Sequence, residues 1–157
     1  LLFHERSSIA GAPQMRRNIN KLVNKAKNVF HGDTPVADDP TFKAKVAQFM
    51  LDLDALEMTE LRGLAAQREG KSPGPESSLL KIKGTELQQR ITSLAVELAG
   101  HEAMPYGGPY GFTDIEVAAE KSAQQSAPKY LNFRKVTIYG GTNEIQKNII
   151  AKAVLGI

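Results

Sequence analysis

Apolar residues recur at steps of three and four along most of this chain and almost nowhere in strict alternation, which restricts it to a fold of packed amphipathic helices. Met15, Ile19, Leu22, Val23, Ala26 and Phe30 form a first stripe, interrupted near its start by Gly11 and Pro13 and predicted to stop at His31-Gly32. Asp38-Asp39-Pro40 then supplies a capping acid and a proline suited to the first helical position. The long helix it opens runs through Phe42, Val46, Phe49, Leu53, Leu56 and Leu64. Gly70, Pro73, Gly74 and Pro75 break the pattern between Glu69 and Ser78, and a third helix follows through Leu80, Leu87, Ile91, Leu94 and Leu98 to Gly100. From Met104 to Phe112 the chain is crowded with glycine, proline and tyrosine, and it stays weakly periodic through Pro128, so an irregular surface excursion with room for a short helix is expected there. Tyr130 to Tyr139 reads either as a short helix or as an extended approach to Gly140-Gly141, and a last helix spans about Asn143 to Leu155, closed by Gly156. These stripes predict an all-α, antiparallel four-helix bundle.

At 157 residues the chain fits one domain with a real core, since a domain of about 150 residues hides roughly 70% of its unfolded surface. Residues 1–157 therefore read as a single helical domain. The chain opens on Leu1 and enters a charged, helix-like segment at once, the pattern of a fragment of a longer chain. Without cysteine there is no disulfide, no thiolate-held cluster and no thiol nucleophile, which suits a reducing cytoplasm, and redox chemistry would need a bound cofactor. His4, His31 and His101 are scattered with no metal-ligand spacing. No apolar stretch approaches the roughly 20 residues of a membrane span. The formal charge of +3 is mild, and the densest basic cluster, Arg16, Arg17, Lys21, Lys25 and Lys27, reads more simply as a solvated helix face than as a nucleic-acid site.

Chemistry concentrates near the C-terminus. In Tyr139-Gly140-Gly141-Thr142-Asn143-Glu144-Ile145-Gln146 a diglycine turn runs into an amphipathic helix. Gly140 and Gly141 permit backbone conformations and a close ligand approach that a Cβ obstructs, and Thr142 and Asn143 are good helix caps. Polar backbone at a helix N-terminus is suited to an oxyanion or a phosphate, although the same residues also make an ordinary turn and cap.

The run from Tyr139 to Ala151 resembles the C-terminal signature of flavin-dependent acyl-CoA dehydrogenases. His4-Glu5-Arg6-Ser7-Ser8-Ile9-Ala10-Gly11 is similar to the start of the first helix of that family's C-terminal domain, Phe30-His31-Gly32 takes the place of its Phe-Gly turn, and Gly84 to Arg90 lies in the expected third helix. The resemblance implies oxidation of an acyl-CoA thioester to the trans-2-enoyl-CoA: a carboxylate takes the α-proton and the β-hydrogen leaves as hydride to FAD. In many members the carboxylate directly follows the signature's tyrosine, but Gly140 stands there and cannot accept a proton. Another branch, similar to isovaleryl- and long-chain acyl-CoA dehydrogenases, carries its base on the first helix just before an arginine. Glu5 is then the candidate base and Arg6 a positioning partner. Resemblance further assigns the Gly140 N–H as a donor to the thioester oxygen, and Gly141, Thr142 and Glu144 as flavin contacts. It also implies an electron acceptor such as electron-transfer flavoprotein, and a homo- or heterotetramer packed partly through Ile145, Ile149 and Val154.

The chain also departs from that family. The arginine that commonly precedes the Phe-Gly turn and reaches a neighbouring subunit's flavin has no counterpart around Lys27-Asn28-Val29, and Lys27 lacks the bidentate fork of a guanidinium. The glutamine and paired glycines expected after the third helix are replaced near Glu97, Gly100 and His101. Two readings follow: a catalytic flavoprotein domain, or a helical assembly module of a heteromeric dehydrogenase whose active site lies in a partner. A nucleic-acid scaffold is the third, supported only by the basic first helix.

Overall fold

The computed structural model describes residues 11–72, 74–104 and 121–156. Helix α1 (Ala12–Ala26) carries Pro13 in its first turn, where the missing N–H costs nothing, and buries Ala12, Met15, Ile19 and Ala26. It ends at Ala26, short of the expected stop at His31-Gly32. The Asn28 N–H turns back to the Lys25 carbonyl at 2.9 Å and the Val36 N–H meets the Val29 carbonyl at 2.8 Å. These bonds divert the backbone into a small antiparallel hairpin of β1 (Phe30–His31) and β2 (Thr34–Pro35). Phe30, though spaced for the helical stripe, is consequently 55% exposed.

A 3-10 turn (Val36–Asp38) delivers Asp39 to the cap of helix α2 (Pro40–Arg68), and its carboxylate accepts the Phe42 N–H at 2.8 Å. Acid and proline stand in the roles the sequence assigns them. Replacing Asp39 by alanine is expected to cost about 1 kcal/mol, read as a lower urea midpoint with an unchanged m value. Helix α2 buries Phe42, Phe49, Leu53 and Leu56, whereas Leu61 and Leu64 on its later turns stand about half exposed.

Helix α3 (Glu76–Ala99) is the central element, in contact with α1, with α2 and with the C-terminal segments. Its stripe of Leu80, Leu87, Ile91, Leu94 and Leu98 closes the core with Met15, Ile19, Phe49 and Leu53. Its other side is buried as well, and polar: Ser78, Lys81, Thr85 and Thr92 are inside, with Gln89 partly so. Against that side pack α5 (Ser126–Asn132), which follows the single turn α4 (Lys121–Gln124), a 3-10 turn (Phe133–Thr137), and α6 (Asn143–Leu155).

Tyr130 to Tyr139 thus begins helical and not extended. Pro128 occupies the first turn of α5, a short helix of the kind the sequence allows at the end of the excursion, at a position where proline is tolerated. The excursion from 105 to 120 lies outside the described residues. The described residues are all-α, as the stripes predict: α1, α2 and α3 share one core, and α6 packs on the other side of α3. Among the described residues no helix is long and apolar enough to cross a membrane.

Candidate functional site

The diglycine turn hangs between the 3-10 turn and α6, and its shape requires its glycines. Gly140 has φ 68° and Gly141 φ 91°, conformations that L side chains adopt only under strain. A Cβ on Gly141 would come 2.5 Å from Gln146 Nε2. Gln146 is fully buried and donates through Nε2 to the Gly140 carbonyl at 3.1 Å and, more weakly, to the Gly141 carbonyl at 3.5 Å. The turn is therefore laced to the first turns of α6 by a side chain beneath it. Gln146 Oε1 is buried and finds no hydrogen-bond partner among the described residues.

Thr142 caps α6, its hydroxyl oxygen accepting the Ile145 N–H at 3.3 Å. Glu144 is exposed in the first helical turn. Its carboxyl is held below the usual glutamate range by its own backbone N–H and the Thr142 hydroxyl, against a smaller opposing effect of desolvation, with Lys147 and Lys81 adding attraction. At neutral pH it is an anion at a helix N-terminus, where the macrodipole favours it. Both Thr142 and Glu144 thus have structural roles that coexist with any ligand contact.

Carbonyls and hydroxyls of the turn are taken up, but its donors are not. Among the described residues nothing accepts the N–H of Gly140, Gly141 or Thr142. These successive, half-buried donors beside a helix N-terminus are the feature an oxyanion or the polar edge of a flavin requires, so the residues present fit such a group. Clefts of about 500 and 560 Å³ run along α2 and α3, and one of about 350 Å³ lies between α1, α3 and α5; residues 140–144 line none of the three. Any enclosed pocket over the turn would need walls beyond the described residues.

Of the sequence-derived site residues, Gly140, Gly141, Thr142 and Glu144 come together at one end of the bundle, while Glu5 and Arg6 lie outside the described residues. The basic cluster of α1 behaves as a helix face: Arg16 bonds Asp54 at 2.7 Å and Glu57 at 2.6 Å, which raises its pKa, and Arg17 bonds Gln14. Lys27 is exposed and reaches only Asn24 within the described residues, so it takes no arginine-like role there.

Sequence reasoning missed the buried polar cluster behind the turn. Lys81 has no exposed surface, and its ammonium donates to the Thr137 carbonyl at 3.0 Å and to Asn143 Oδ1 at 2.8 Å. The Thr85 hydroxyl lies 3.5 Å from the same Asn143 oxygen and bonds the Lys81 and Ile82 carbonyls. Further along α3, Gln89 donates to the Phe133 and Arg134 carbonyls, and Arg134 returns bonds to Gln89 and Thr92 while its guanidinium lies 4.1 Å from the Tyr130 ring centroid. A sequence signal existed in the spacing of Ser78, Lys81, Thr85, Gln89 and Thr92, a second helical stripe opposite the apolar one.

Comparison with known proteins converges on one family. The family model described as "Acyl-CoA dehydrogenase, C-terminal domain" matches residues 1–155. The acyl-CoA dehydrogenase IpdE1 of Mycobacterium tuberculosis is 28% identical over 144 residues, covering 90% of this chain and 32% of that protein. The chain spans about a third of the length of the curated relatives it matches. PigA, solved with FAD and proline, superposes with a TM-score of 0.77 at 17% identity, covering 99% of this chain and 37% of PigA. The ChsE4-ChsE5 complex of Mycobacterium tuberculosis gives a TM-score of 0.69 at 23% identity, covering 91% of this chain and 35% of the matched one. At these identities the two structures establish likeness of fold.

Proposed function

Because the chain belongs to the acyl-CoA dehydrogenase family, as a C-terminal domain of it, we propose that it serves a flavoenzyme that oxidises an acyl-CoA thioester to the trans-2-enoyl-CoA. The observation that carries this reading is the row of N–H donors at Gly140, Gly141 and Thr142, at the head of α6, that meet no acceptor among the described residues. Removing an α-proton places negative charge on the thioester oxygen. A fixed backbone donor stabilises that charge without reorganising, and the Gly140 N–H takes this role. Glu5 accepts the α-proton, with Arg6 orienting it; what matters is the reach of the carboxylate oxygen to the α-carbon and not its place in the sequence. Gly141, Thr142 and Glu144 hold the flavin edge. FAD, when bound, supplies the hydride acceptor and passes electrons on to an acceptor such as electron-transfer flavoprotein.

A second reading is favoured by the outer face of α6. This helix turns the polar Asn143 and Gln146 inward and leaves Ile145 51%, Val154 63% and Leu155 68% exposed. Such an apolar face seeks a neighbouring subunit, and the chain lacks the arginine that reaches across to a partner's flavin. A helical assembly subunit of a heteromeric dehydrogenase accommodates both facts.

The deciding experiment assays the whole protein against a panel of acyl-CoA thioesters with an artificial electron acceptor, alongside its visible absorbance. Bound flavin with oxidation of at least one thioester supports the catalytic reading. No flavin and no turnover, unless a partner chain is added, supports the assembly reading. In either case light scattering is expected to give a tetramer, a dimer of dimers; a monomer would contradict the role given to Ile145, Ile149 and Val154.

A further inference from the structure

We propose that Lys81 is a positioning residue that fixes the diglycine turn by tying both of its limbs to the central helix. This rests on the proposed function for its catalytic meaning, and on geometry alone for its mechanical one. Thr137, whose carbonyl Lys81 bonds at 3.0 Å, lies three residues before Gly140; Asn143, bonded at 2.8 Å, lies two residues beyond Gly141. One ammonium therefore spans the entry and the exit of the turn. Its own backbone stands on α3, whose opposite face is the hydrophobic core, so the anchor is a helix held in place by packing on its other side.

Packing alone would not place a lysine there. A fully buried ammonium loses its hydration, and this one lies beside the N-terminus of α6, where the helix dipole opposes a cation. An apolar side chain of similar length would fill the space without either penalty. What the ammonium adds is direction: donors set at fixed angles to two acceptors on two separate segments. Thr85 completes the arrangement by placing its hydroxyl within 3.5 Å of the same Asn143 oxygen. With both limbs held, the N–H of Gly140 keeps one orientation relative to α3, as a preorganised donor requires.

The test compares Lys81→Met with the unaltered whole protein by amide hydrogen exchange and steady-state kinetics. Exchange at Ile138, Tyr139, Ile145 and Gln146, the hydrogen-bonded amides on the two limbs of the turn, is expected to quicken about tenfold or more, while the α2 amides around Phe49 to Leu56 keep their protection. In an enzyme that oxidises thioesters, kcat should fall at least about tenfold with KM changed by less than about threefold, because a misdirected donor weakens the transition state more than the bound thioester. Unchanged exchange at the turn overturns the proposal, and so does a uniform rise across the whole domain, the mark of general destabilisation. If the unaltered protein oxidises no thioester, the functional reading fails while the exchange comparison still decides the role of Lys81. Should Lys81→Met not fold, Asn143→Ala removes the acceptor on the exit limb and must give the same local rise in exchange; its absence is equally decisive against.

Discussion

Glu5→Gln in the whole protein is expected to lower thioester oxidation about a thousandfold, equivalent to ~4 kcal/mol of transition-state stabilisation, while the flavin stays bound. Glutamine keeps the shape and hydrogen-bonding reach of glutamate but accepts no proton, so the substitution isolates base catalysis from packing. In the proposed site an apolar acyl chain covering the carboxylate favours its neutral form and raises its proton affinity, whereas Arg6 pulls the other way. The reactive form is the carboxylate, so the rate of the unaltered enzyme should rise as pH passes the pKa of this group, and Glu5→Gln should lose that limb of the profile. Flavin binding is assigned to the distant end of the sequence, at Gly141, Thr142 and Glu144, and should not follow the loss of activity. Visible absorbance together with turnover separates the outcomes. Full activity with flavin retained removes Glu5 from the mechanism, whereas loss of flavin with loss of activity gives it a structural part instead.

Helix boundaries set by local chemistry were legible in the sequence. Asp39-Pro40 opens α2, Gly100 follows the end of α3, and Gly156 follows the end of α6, because capping acids, prolines and glycines act through their immediate neighbours. Phe30 shows where periodicity misleads: it sits four residues after Ala26 in the stripe, yet the Val36 to Val29 bond that pulls it into a hairpin links segments the helical pattern does not connect. The diglycine turn and its cap were legible for the same local reason. Lys81 was not, since a charged residue on a helix reads as solvent-facing. The contrary signal lay in angle: Lys83, Arg90 and Glu97 recur every seven residues along the exposed side of α3, and Lys81, two residues before Lys83, stands roughly 200° away from them. A lysine opposite the charged stripe, flanked at helical spacing by Ser78 and Thr85, marks a buried polar seam. What that seam packs against is set by chain more than fifty residues later, which no local pattern encodes.

Gly141→Ala should disable the turn more thoroughly than a single added methyl group implies, because two penalties coincide. The backbone at φ 91° lies where an L side chain costs about 1–2 kcal/mol. The new Cβ also meets Gln146 Nε2 at 2.5 Å, and Gln146, with no exposed surface, has no solvent into which to swing. Either the turn opens or Gln146 releases the Gly140 and Gly141 carbonyls; in both cases the Gly140 N–H moves. A shift of about 1 Å at such a donor is worth roughly a hundredfold in rate, so oxidation should fall by about that factor and flavin affinity should weaken with it. Adding Gln146→Ala removes the clash but leaves the φ strain and deletes the bonds beneath the turn. The double variant should therefore recover part of the loss relative to Gly141→Ala and none of it relative to Gln146→Ala alone. That pattern distinguishes a turn shaped by its own internal packing from one shaped by the ligand, for which Gln146→Ala would be neutral. If Gly141→Ala keeps wild-type flavin content and rate, the turn merely connects two helices and the donor must be sought elsewhere in the assembly.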